Sequence, residues 1–175
     1  MTDAEGTIQF SYDLQPLQAS IAGEDLLRPL FAWRTILRRL QLIGQTPERY
    51  GGLGYGNLSF RDPDHGQEFV ITASQTSGAA DFSVDDLTRI QSCHLERFWV
   101  TALGSRAPSS ETLTHAMLYA ADTRLQWVFH VHCPEIWQRT EHLGLPVTEE
   151  DVGYGSLAMA SAVAALLQAH QSRPL

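Results

Sequence analysis

Hydrophobic and polar positions along this chain follow two periods, and their alternation outlines the fold. Over residues 23–42 the apolar positions Leu26, Leu27, Leu30, Ile36, Leu37 and Leu40 recur at helical spacing, with Glu24 and Asp25 at the start and Gly44 beyond the end. An amphipathic helix is expected there. Because Pro29 lies inside the pattern, its main body is expected to start at Arg28 or Pro29, behind a shorter helix. The period then drops to two. Leu58 and Phe60 alternate with polar neighbours over residues 57–61, the turn residues Asp62-Pro63-Asp64-His65-Gly66 follow, and residues 68–72 return as the second arm of a hairpin. Ser83 followed by Asp86 reads as a helix start leading through Leu87 to Ile90, and residues 95–103 read as another strand.

Pro108-Ser109-Ser110-Glu111 opens a second clear helix that runs to about residue 121, with Leu113, Met117, Leu118 and Ala121 at its packing positions. The β-branched and aromatic run 127–132 predicts a strand. Residues 134–139 predict a short helix, 143–152 a connection, and 156–169 an alanine-rich final helix. Strands and helices thus alternate without repeat or linker, which predicts an α/β layer architecture: an arm over residues 1–22 and a single domain over 23–175.

Composition narrows the chemistry. At 175 residues and 43% hydrophobic, the chain suits one domain with a sizeable core. A formal net charge of −8 argues against nucleic acid or an anionic membrane as main partner, so any anion site must be local. All 12 basic residues are arginine, which excludes a lysine Schiff base, covalent pyridoxal phosphate and a Walker-type phosphate loop. Cys93 and Cys133 are too few for a disulfide framework, no basic start with an apolar run opens the chain, and no window has the length of a membrane span. A soluble protein of the reducing cytoplasm is expected.

The candidate chemistry centres on Trp127-Val128-Phe129-His130-Val131-His132. On a strand, Val128, His130 and His132 share one face and Trp127, Phe129 and Val131 the other, so the two imidazoles point the same way. The pair reads either as two ligands of a metal such as Zn²⁺, or as two satisfied or exposed histidines. Glu111 and His115, spaced i, i+4 near a helix start, read as an acid/base carboxylate with a neighbour, or as an acidic residue favouring the helix dipole. Ser109 and Ser110 could cradle an anion or simply cap the helix. The glycine-dense Gly51-Gly52-Leu53-Gly54-Tyr55-Gly56 lets backbone approach a ligand, or makes a tight bend before a strand.

Six segments taken together resemble the class II aldolase/adducin family, in the order that family uses them. They are Gly56-Asn57-Leu58-Ser59-Phe60-Arg61, Val70-Ile71-Thr72-Ala73-Ser74, Asp85-Asp86-Leu87, Pro108-Ser109-Ser110-Glu111 with His115 and Tyr119, Val128-Phe129-His130-Val131-His132, and Tyr154-Gly155-Ser156. The resemblance implies a central, mostly antiparallel sheet flanked by helices on both faces. It also implies a divalent metal, usually zinc, and homo-oligomers, often tetramers, with sites near subunit boundaries. His130 and His132 look like metal ligands, Glu111 like the catalytic acid/base, and His115 like a residue behind the ligands. Gly56, Asn57, the turn residues Thr76, Ser77 and Gly78, and Ser109 and Ser110 look like the phosphate-binding segments. The implied reaction is retro-aldol cleavage of a small phosphorylated sugar or hydroxy-ketone through a metal-stabilised enediolate; epimerase and dehydratase chemistry share that logic.

Two departures mark this member. The family's third metal ligand is a histidine in a His-Gly segment after the final helix, and this sequence has only His170, at the helix tail, so the domain is expected to be truncated at its C-terminus. Family enzymes also place a glycine almost directly after the Ile-Thr run, whereas here Gln75 follows Ser74 and the glycine waits until Gly78. Both departures raise a rival expectation, a non-catalytic scaffold like the adducin head domains.

Overall fold

A computed structural model describes residues 7–149, 152–153 and 155–171. Tyr154 of the Tyr-Gly-Ser motif lies outside the described residues. Six strands form one sheet in the order β1-β5-β4-β3-β2-β6. They are β1 (Ser11–Gln15), β2 (Asn57–Arg61), β3 (Phe69–Thr72), β4 (Leu87–His94), β5 (Trp99–Gly104) and β6 (Trp127–His130). Only β1 and β5 run parallel; the other neighbours are antiparallel. Part of the stretch expected as an arm is thus an edge strand of the sheet.

Period-two alternation sends side chains to two cores. Leu58 and Phe60 of β2, Val70 of β3 and Leu87 of β4 pack with Leu27, Leu30 and Leu37 of α1 (Glu24–Arg39), against which Trp127 and Phe129 also lie. The opposite face puts Phe69, Ile71, Ile90 and Val100 against Leu113 and Tyr119 of α2 (Thr112–Ala121) and Ala160 of α4 (Leu157–Gln171), with Val128 alongside. A mostly antiparallel sheet with helices on both faces is therefore what the sequence builds.

Three expectations are corrected. First, α1 is a single helix from Glu24 with Pro29 inside it; burial of Leu27, Leu30 and Leu37 along one stripe outweighs the lost hydrogen bond. Second, Ser83 and Asp86 do form a reciprocal capping box, but it closes only one 3-10 turn. Residues 87–90 are strand, because their Leu, Thr, Arg and Ile side chains are buried between strands on both sides. Third, 95–97 is a 3-10 turn, and left-handed Phe98 (φ 51°) resets the chain before β5 starts at Trp99. The short helix after the histidines is α3 (Pro134–Trp137).

Candidate active site

The site gathers at one end of the sheet, where β2 and β6 pair. Register sets Asn57 opposite His130. Gly56 makes the approach possible: its φ is +73°, and a Cβ there would come within 2.5 Å of Ile43 Cγ2 and 2.9 Å of the His130 carbonyl oxygen. Asn57 Nδ2 lies 3.1 Å from His130 Nδ1, and Asn57 Oδ1 is buried with no partner among the described residues.

His132 stands just past the strand end. α1 ends in a Schellman turn, with Leu42 N–H on the Leu37 carbonyl and Gln41 N–H on that of Arg38; Gln41 takes the left-handed conformation (φ 56°) usually given to glycine. The turn leaves the Leu42 carbonyl to accept from His132 N–H at 2.8 Å. The His132 ring meets the Tyr50 hydroxyl through Nδ1 at 2.7 Å and packs edge-on against the Tyr50 ring. The two imidazole centroids are 4.7 Å apart. Burial lowers His130 to about 4, and burial, His130 and Arg49 lower His132 to about 3, so both rings are neutral near pH 7.

Neutral imidazoles side by side suit a divalent cation, and Asn57 and Tyr50 occupy Nδ1 of the two rings, so Nε2 is the nitrogen that would ligate; for His130 this requires the Asn57 amide turned so that its oxygen accepts from Nδ1–H. Among the described residues no cluster of three or more His, Cys, Asp or Glu side chains is placed to hold a metal. His130 and His132 could hold a cation as a pair, and among the described residues no third side chain, Glu111 included, joins them in such a cluster.

Glu111 lies immediately before α2 and is 6% exposed. Burial raises its carboxyl above the ordinary range, while the Thr114 hydroxyl, donating to Oε2 at 2.7 Å, pulls partly back. It lines one cleft together with His130, Gly56, Asn57, Ser77, Ser109 and Ser110. Those seven sequence-predicted positions converge there. Thr76, Gly78 and His132 do not line that cleft. The Thr76 hydroxyl is turned back onto the Ala73 carbonyl (2.7 Å), and His132 faces a neighbouring, more apolar groove beside Tyr50 and Trp137. Ser109 Oγ accepts from Glu111 N–H at 3.3 Å and so serves partly as a cap, and Ser77 Oγ donates to the Gly44 carbonyl at 3.0 Å. His115, 1% exposed, also stays out of the cleft; its Nδ1 and the Tyr119 hydroxyl each lie 2.7 Å from Ser59 Oγ.

Sequence reasoning missed Tyr50, Tyr55 and Gln75. Tyr50 and Tyr55 flank the glycine loop, and that pairing of aromatics with glycines was the available signal. Gln75 occupies a left-handed position (φ 59°) where glycine fits without strain, and its Oε1 accepts from Gly54 N–H at 2.8 Å, tying the two cleft loops together.

Among solved structures, an L-fuculose 1-phosphate aldolase is similar to this fold, with TM-score 0.61 and 20% sequence identity over 86% of this chain and 70% of that chain. No curated protein sequence matches the chain. The family model of the class II aldolase and adducin N-terminal domain matches residues 48–170, and the chain belongs to that family.

Proposed function

We propose that this protein is a metal-dependent lyase that breaks a carbon–carbon bond in a small phosphorylated sugar or hydroxy-ketone. One observation carries the reading: the buried Glu111 carboxyl, His130 and the Ser109–Ser110 turn share a cleft. A divalent cation held by His130 and His132, zinc in our reading, would supply Lewis-acid polarisation of a substrate carbonyl. Glu111 moves the proton. Its raised carboxyl brings both protonation states closer to neutral pH, so it can take the proton of the hydroxyl β to the carbonyl as the bond breaks. It then returns a proton to the carbon that keeps the electron pair. Ser109, Ser110 and the Ser77 turn would orient the phosphate. Exposed Trp137 and Ile136 stand beside His132, which supports a homo-oligomer whose copies meet near the site. Two free thiols suit a reducing cytoplasm, and no helix among the described residues is long and apolar enough to cross a membrane.

The test joins metal content with turnover. Elemental mass spectrometry of purified protein should find near one equivalent of divalent metal, lost in His130→Ala/His132→Ala. Glu111→Gln should keep the metal and lose roughly 10²–10⁴-fold in kcat on the ketose phosphates that the wild type cleaves. Product analysis separates cleavage from epimerisation and dehydration. Unchanged turnover in Glu111→Gln would remove Glu111 from the mechanism. The absence of a three-residue ligand cluster among the described residues favours the scaffold as the second reading. A protein that takes up no metal even after supplementation would decide for it.

A further inference from the structure

The turn after β3 is gripped from behind. Arg34 stands on the buried stripe of α1, 5% exposed, and its Nη2 donates to the carbonyl oxygens of Thr76 (2.9 Å), Ser77 (3.3 Å) and Ala79 (2.9 Å). Arg38, one helical turn on, donates Nη2 to the carbonyl of Gly78 at 3.3 Å. Four successive carbonyls therefore face the helix. In a trans peptide the N–H points opposite to the C=O of the same unit, so the amide hydrogens of residues 77–80 are turned away from α1. That of Ala79 closes the turn on the Thr76 carbonyl at 3.0 Å, while those of Ser77 and Gly78 have no acceptor among the described residues. Ser77 is the member of this turn that lines the cleft with Glu111 and His130.

Charge points the same way as geometry. Neither Arg34 nor Arg38 is ion-paired to a carboxylate among the described residues, whereas Arg89, Arg106 and Arg124 are. The Arg34 guanidinium is clamped instead against the Phe82 ring, 3.8 Å from its centroid. Burial, then Arg38, lowers its pKa to about 10, which leaves it charged at neutral pH. A buried cation held by carbonyl dipoles and a ring face, with Asp86 close enough to act on its charge but in no ion-pair contact, favours an anion nearby.

We infer that Arg34 is the positioning residue of an anion-binding turn: with Arg38 it holds the carbonyls of residues 76–79 back, so that the amide of Ser77, the turn residue that lines the cleft, and a net positive charge are presented to a substrate phosphate. This rests on the reading of the cleft as the site of a phosphorylated substrate. A merely structural arginine would tie α1 to the turn without selective effect on anions.

The test titrates inorganic phosphate into the full chain by calorimetry, for wild type, Arg34→Met, Arg34→Lys and Arg38→Gln, with zinc affinity measured on the same samples. Arg34→Met should weaken phosphate by about tenfold or more, and Arg34→Lys and Arg38→Gln by roughly threefold each, with zinc affinity unchanged. Phosphate bound as tightly by folded Arg34→Met as by wild type overturns the inference and leaves the reading of the cleft intact. Phosphate and zinc lost together in Arg34→Met show a structural tie and overturn it as well. A wild type that binds zinc but no phosphate refutes the phosphorylated-substrate reading, and the inference falls with it. Should Arg34→Met fail to fold, the two milder variants decide: phosphate weakened with zinc retained supports the inference, and phosphate unchanged in both overturns it.

Discussion

Asn57 decides which nitrogen of His130 carries the proton. An amide that donates to Nδ1 leaves the ring proton on Nε2 and closes that nitrogen to a metal; turned by half a rotation, its oxygen accepts from Nδ1–H and opens Nε2. The buried Oδ1 without a partner marks this choice. Asn57→Leu should therefore weaken divalent-metal affinity by about 10–100-fold, and Asn57→Asp, which can only accept when ionised, should keep it. Competition against a chromophoric chelator measures both; equal affinity in all three proteins would dissociate Asn57 from the ligand. Legibility at this scale depends on distance along the chain. Glu111 and His130 stand in short motifs whose residue types carry their chemistry locally. The Asn57–His130 and Tyr50–His132 contacts join positions far apart in sequence, and the left-handed backbone of Gln75 contradicts its residue type, so no local pattern announces them.

At the scale of elements, α1 does more than fill a core. Its buried stripe includes Arg34, its Schellman end hands the Leu42 carbonyl to His132, and Pro29 sits within it at a cost. Proline there has no N–H for the Asp25 carbonyl and crowds it. Pro29→Ala should raise the unfolding free energy by about 1–3 kcal/mol in urea titration, reduced by roughly 0.4–1 kcal/mol because alanine loosens the unfolded chain. No gain would mean that the ring itself packs usefully. The periodic pattern revealed α1, α2 and α4 through their apolar helical positions, and β2, β3 and β6 through short β-branched, aromatic or alternating runs bounded by turn residues, although β2 and β3 are buried on both faces. It failed at β4, where a real capping signal at Ser83 and Asp86 precedes a strand buried on both faces. Its apolar residues Leu87 and Ile90 stand three apart, a helical rather than an alternating spacing, and only its neighbours β3 and β5 decide its state.

For the whole molecule, buried neutral histidines couple folding to acidity. In the unfolded chain a histidine titrates near 6.5, whereas burial lowers His115 to about 3 in the fold, as it does His130 and His132 to about 4 and 3. Below about pH 6.5 the unfolded state binds more protons, so stability present above that pH is lost as pH falls toward 3, with fully buried His115 contributing up to about 1.4 kcal/mol per pH unit. Asp62 acts with the same sign at lower pH: despite burial, its bonds from His65, the Asp64 amide and Arg89 hold its carboxyl below the ordinary range. Urea midpoints measured from pH 7 to 4.5 should decline steadily, and His115→Gln should flatten the slope; a midpoint flat below pH 6 would contradict this account. The sheet order has one more effect. Among the described residues β6 is paired on one side only, so the strand that carries His130 can peel from the sheet while the other five remain associated. His130 and His132 stand on that one segment and would move out together, so hydrogen exchange at the amides that pair β2 with β6 would report how often the last strand frays, and with it how often the histidine pair leaves Asn57 and the cleft.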